Sequence, residues 1–175
     1  MKRTMKLVTV LAAAMAVLGP ARAARAQASG GDEALVLRQE NLTLAKDSAR
    51  SSAAATLPGD TLRFHLDFTN TQDAEVRNVA IDNPLPGGLV FIGGSAQSDV
   101  TARIEYSVDG GVSYSPQPMV EVTDGGRTVA LPADPATYTH VRWVITDGVA
   151  PGSRVTARYD VLVGARPAPP GAVRQ

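Results

Sequence analysis

The chain has 175 residues, 17 basic and 17 acidic side chains, and no cysteine. This length suits one domain with tails. The missing cysteines exclude disulfide staples, thiolate zinc sites, thiol catalysis and a lipid-attachment cysteine.

The N-terminus reads as a helical export signal, residues 1–26. Lys2, Arg3 and Lys6 form its positive region, and Leu7 to Leu18 is an apolar, uncharged run too short to span a bilayer. Small residues recur at the spacing a signal peptidase reads, in Ala21-Arg22-Ala23, Ala24-Arg25-Ala26 and Ala26-Gln27-Ala28. Cleavage is expected after Ala26 or Ala28, with an uncleaved membrane anchor as the alternative. Removing the signal takes away five basic residues and leaves 12 basic against 17 acidic, a net charge of −5. Such acidity favours solubility and disfavours binding to a phosphate backbone. No second apolar run of membrane length follows.

Residues 27–34 read as a flexible leader. From 35 to 165 the pattern is that of short strands. Leu35–Leu37 and Leu42–Ala45 are expected strands. Leu62, Phe64, Leu66 and Phe68 then alternate with Arg63, His65, Asp67 and Thr69, a period of two. Further strands are expected at Val76–Asp82, Leu89–Ile92, Ala102–Val108 and Arg127–Leu131. Val141, Trp143 and Ile145 alternate with polar or outward neighbours, as do Val155, Ala157, Tyr159, Val161 and Val163. Turn signals separate these runs at Pro58-Gly59-Asp60, Pro86-Gly87-Gly88, Gly93-Gly94, Asp109-Gly110-Gly111, Asp124-Gly125-Gly126 and Pro151-Gly152. The two Asp-Gly pairs predict tight hairpins. Residues 166–175 form a Pro-rich tail that cannot pair in a sheet. The expected fold is all-β, an immunoglobulin-like Greek-key β-sandwich of about seven to nine strands behind the signal helix.

Four blocks in order carry a family likeness. They are Pro58-Gly59-Asp60 with its alternating strand to Thr69-Asn70; Asn78-Val79 through Asp82, Leu85-Pro86 and Gly88-Leu89 to Phe91; Ile104 to Gly111; and Val141–Ile145 with Ala150-Pro151-Gly152 and Val155–Val163. Together they resemble the bacterial conserved-repeat surface domain (domain of unknown function number eleven), over about residues 40 to 164. The resemblance implies an immunoglobulin-like sandwich found in secreted or cell-surface proteins, often in tandem; this chain carries a single copy. The blocks also have structural readings. Pro58 and Gly59 shape a turn, Asp60 accepts backbone N–H bonds, and Asn70 and Asn78 bond backbone across a loop.

Candidates for chemistry are few. His65 and His140 are the only imidazoles and would need adjacent strands to form a metal pair. Asp109-Gly110-Gly111 and Asp124-Gly125-Gly126, with Glu121 nearby, imitate calcium loops but read better as hairpins. Ser95 follows Gly93-Gly94 without the remainder of a nucleophile elbow. Asn41-Leu42-Thr43 matches a glycosylation sequon, discounted in an expected strand. Trp143, Tyr159, Phe64 and Phe68 fall on the inward phase and read as core. Tyr106, Tyr114, Tyr138 and the Gly93–Val100 loop are the first places to expect a recognition surface.

The expectation is therefore an exported, non-catalytic module of the cell envelope or surface, with no catalytic, cofactor-binding or metal residues and no cofactor. Its partner would be an envelope or extracellular protein, or another copy joined through edge strands. Two alternatives stand beside it: an assembly subunit exchanging an N-terminal arm (Gly30 to Arg38), and a hydrolase using His65 or His140.

Overall fold

The computed structural model describes residues 8–11, 34–46, 55–124 and 126–164. Most of the leader before Ala34 and the Pro-rich tail lie outside the described residues. The strands are β1 (Val8–Leu11), β2 (Leu35–Asn41), β3 (Thr61–Thr69), β4 (Val79–Pro84), β5 (Leu89–Phe91), β6 (Gln97–Ser98), β7 (Arg103–Ser107), β8 (Met119–Asp124), β9 (Arg127–Pro132), β10 (His140–Ile145) and β11 (Arg154–Val163). One short helix, α1 (Leu42–Lys46), and one 3₁₀ turn, Pro135–Thr137, complete the elements.

Two sheets face each other. The first has the order β1-β4-β10-β7. The second has the order β2-β3-β11-β5, with β6 also on β11. The chain changes sheet between β3 and β4, β4 and β5, β6 and β7, and β10 and β11, so the fold is an immunoglobulin-like Greek-key β-sandwich. Apart from β1, eight strands build it. The hairpin β8–β9 stands as a separate two-stranded sheet.

The core follows from the period of two. Leu62, Phe64, Leu66 and Phe68 of β3 lie in register with Val161, Tyr159, Ala157 and Val155 of β11, and all eight are buried. Val141, Trp143 and Ile145 of β10 and Val79 and Ile81 of β4 face them from the first sheet. Trp143 lies 6.0 Å from Tyr159, and Tyr159 stacks on Phe64 at 5.2 Å. Burying such rings contributes on the order of 1.5–3 kcal/mol each, the force that holds a cysteine-free sandwich together.

Polar residues of the sequence blocks close the loops. Asp60 accepts the Leu57 N–H (2.9 Å) and the Asn41 side-chain amide (2.9 Å), while Gly59 turns at φ 91° and donates to the Val163 carbonyl. Fully buried Asn70 donates to the carbonyls of Ala74 and Val149 and accepts from Gln72 N–H. It thereby ties the β3–β4 loop to the β10–β11 loop.

The structure corrects several local expectations. Leu42–Lys46 is a single helical turn, not a strand, because the Asn41 side chain accepts the N–H groups of Thr43 and Leu44 (3.0 Å each) and caps it. Strand β2 runs to Asn41 and pairs with β3 of its own chain. The Leu35–Arg38 part of the expected exchange arm is thus already engaged. The strand expected from Val76 starts at Val79, and Val76 instead bridges to Val149. Val8–Leu11, in the segment expected to be helical, is extended: it pairs in parallel with β4, from Val8 opposite Val79 to Leu11 opposite Asp82. Two β-branched valines and a threonine suit that conformation.

Candidate interaction surface

The two histidines lie on different sheets, His65 on β3 and His140 on β10, so they do not form the pair a metal would need. His65 Nε2 approaches Glu40 at 3.8 Å, and His140 lies edge-on to Tyr114 at 6.2 Å between ring centroids. Among the described residues no group of three or more His, Asp or Glu side chains converges at metal-binding distance.

Asp109 is held by its own loop. Its carboxylate accepts the hydroxyls of Ser107 and Ser113 (2.6 Å each) and the N–H groups of Val112 and Ser113. The Ser107 and Ser113 hydroxyls, followed by the Ser113 amide, hold it well below the usual carboxylate range. The loop spans from Tyr106 to its bridge partner Ser115 and is wider than the expected tight hairpin. β8 and β9 do form a hairpin, with Asp124 opposite Arg127.

Ser95 also has a structural task. Its hydroxyl donates to the Ile92 carbonyl (2.6 Å) and accepts the Asp160 N–H (3.0 Å). The Gly93–Val100 loop is not a free recognition loop. Gln97–Ser98 pairs with β11, and Asp99 accepts the Thr156 N–H. Tyr138 is a buried core residue and Tyr106 is partly buried against it: the two stack at 4.6 Å, and Phe91 packs on both. Their separation in sequence hides this contact between sheets.

Tyr114 covers the outer face of the first sheet. Its hydroxyl donates to Asp82 (2.7 Å), and Arg142 donates to the same oxygen (2.8 Å) while its guanidinium lies 3.4 Å from the Tyr114 ring centre. Burial, then the Asp82 carboxylate, pushes the Tyr114 hydroxyl upward. Asp82 Oδ1 and Arg142 Nε have no hydrogen-bond partner among the described residues. The second sheet is covered differently. Arg63 clamps Asp160 through two bonds (2.7 and 2.8 Å), and Asp67 accepts from Arg38 and from the Thr156 hydroxyl. Such faces are laced by internal pairs.

The β8–β9 hairpin is of another character. Every residue of β9 is exposed, and among the exposed large apolar side chains are Met119 (51%), Val129 (43%) and Leu131 (47%). Only Val120 packs against the sandwich core. The stem is closed by the Ala133 N–H on the Pro118 carbonyl (2.8 Å). β9 pairs with β8 and with no other strand among the described residues. A two-stranded ribbon of this kind is marginal by itself in water, and its open edge is a template for another strand. Of its parts only the strand at Arg127–Leu131 and the Asp-Gly-Gly turn are expected from the sequence; β8, whose signal is the alternation of Val120 and Val122, is missed.

Searches for known relatives return nothing: no protein-family model, no curated protein and no solved structure matches the chain.

Proposed function

We propose that this chain is an exported, non-catalytic module of the cell envelope or surface that acts by joining other polypeptides through strand edges. The observation that carries the reading is the β8–β9 hairpin, with an open backbone edge and exposed Met119, Val129 and Leu131 held outside a closed core. Strand addition uses such an edge: main-chain hydrogen bonds supply affinity, and alternate side chains supply specificity. The leader supports export through its basic residues, apolar run and small-residue cleavage sites. The likeness to the conserved-repeat surface domain belongs to the same proposal. No helix among the described residues is long and apolar enough to cross a membrane.

The test is expression of the full chain in a bacterial host, then fractionation and intact-mass measurement. The reading expects protein outside the cytoplasm that has lost residues 1–26 or 1–28. Recovery from the cytosol with Lys2 and Arg3 still attached would sink it.

A further inference from the structure

We infer that the outer edge of β4 is a strand-acceptor site, capped by Val8–Leu11 while the leader is attached and filled after leader removal by β9 of a second copy. This deepens the export reading and rests on it. The strand order and the contacts between sheets define the slot. Trp143 of β10 faces Tyr159 of β11, and Tyr106 of β7 faces Phe91 of β5. With those pairs aligned, the orders place β4 across from β3 and β1 across from β2. The first sheet therefore fills its fourth position only with β1.

Removing the leader takes that strand away. The backbone groups of β4 that face away from β10 lose their partner. The vacated position is the length of four residues, and its native filler, Val-Thr-Val-Leu, is apolar and largely β-branched. It is bounded on one side by a strand edge. Such a slot favours an extended apolar segment over water.

The chain itself presents a matching segment. Thr128-Val129-Ala130-Leu131 of β9 is exposed, already extended, and open along one edge. It offers two apolar residues two positions apart, the spacing of Val8 and Val10 in the sequence of β1. The rest of the mature chain before β2, Gln-Ala-Ser-Gly-Gly-Asp-Glu at 27–33, is polar and glycine-rich and has low strand propensity. Donor and acceptor are different surfaces. The hairpin follows β7, which lies at the opposite side of the first sheet from β4. One copy donating to the next gives a heterologous, head-to-tail contact that leaves a free donor and a free acceptor at the ends.

The experiment uses protein isolated after export, with loss of the leader verified by intact mass, and light scattering coupled to size exclusion over a range of concentrations. The expected result is a concentration-dependent series of oligomers. A synthetic peptide of residues 6–14, Lys-Leu-Val-Thr-Val-Leu-Ala-Ala-Ala, should compete for β4 and return the protein to monomer. V129D, at an exposed position, should weaken association by at least about tenfold while leaving the circular dichroism unchanged. Because the chain has no native cysteine, mixing A80C protein with A130C protein should also give a disulfide-linked dimer that neither forms alone: with Val129 and Leu131 in the places of Val8 and Val10, Ala130 takes the place of Thr9 opposite Ala80. A leaderless protein that stays monomeric at every concentration overturns the inference and leaves the export reading standing. Oligomers indifferent to both peptide and V129D overturn it as well. A leader that is never removed overturns the export reading, and this inference with it.

Discussion

Trp143 shows how much a single side chain carries in this fold. It is fully buried between the sheets, yet its indole N–H has no partner among the described residues. Burying an N–H unpaired costs about 1–3 kcal/mol, so the ring is retained for its volume. Trp143→Ala should therefore lower stability by about 3–5 kcal/mol, read from urea unfolding followed by circular dichroism. Trp143→Phe should cost clearly less, because it loses part of the volume but also the unpaired N–H. Equal losses in the two variants would contradict this account. A second residue-scale prediction concerns pH. Burial raises the pKa of Asp67, but hydrogen bonds from Arg38 and Thr156 outweigh it, and the result lies below the usual value. A carboxyl whose folded pKa is depressed contributes stability that is fully present above the unfolded value, about 3.9, and is lost as pH falls through the folded value. Asp109 behaves in the same direction. Urea midpoints should thus fall between about pH 5 and pH 2, and Asp67→Asn should flatten part of that slope. An unchanged slope in Asp67→Asn would place the acid sensitivity elsewhere.

At the scale of elements, legibility depends on whether the deciding information is local. Strands β3, β10 and β11 could be read directly, because one face of each meets the core and the apolar residues alternate without a break. The hairpin could not be placed. Val120, Val122, Val129 and Leu131 show the same alternation whether a ribbon lies in the sandwich or outside it, and only the pairing of other strands decides. Leu42–Lys46 misleads for the opposite reason: Leu-Thr-Leu reads as alternation, while one capping amide on Asn41 outweighs it. The recognition surface expected at Tyr106 and Tyr138 dissolved into the core, since stacking across two sheets leaves no trace in local spacing. Ser95 and the two Asp-Gly loops looked chemical because small and acidic residues serve turns as readily as sites. The hairpin's independence is itself testable. Excising Met119–Pro132 and joining Pro118 to Ala133 through a short glycine linker should leave the sheet spectrum intact. Stability should change by no more than about 1–2 kcal/mol, the share attributable to Val120. Collapse of the fold on excision would show that the ribbon belongs to the core after all.

At the scale of the whole molecule, one central position in each sheet is filled late. β10 lies between β4 and β7, and β11 lies between β3 and the β5–β6 edge. Arg63 and Asp160, which clamp two adjacent strands, are 97 residues apart in sequence. Contacts of such separation make folding slow relative to helical domains, in the range of milliseconds to seconds. A chain stopped after Thr139 should show no cooperative unfolding transition, although it retains eight of the ten strands that follow the leader. Residual cooperativity in that fragment would mean that the first sheet has a partial core without its centre.

The same order bears on the export proposed above. Export threads a chain from its N-terminus, so β2 to β9 reach the far side before the two strands that would join them. Until His140–Ile145 and Arg154–Val163 follow, nothing joins β4 to β7 or β3 to β5. In an exported chain this strand order would act as a timer: the precursor would stay extensible for as long as it is being drawn through, and lock only when its last two strands arrive.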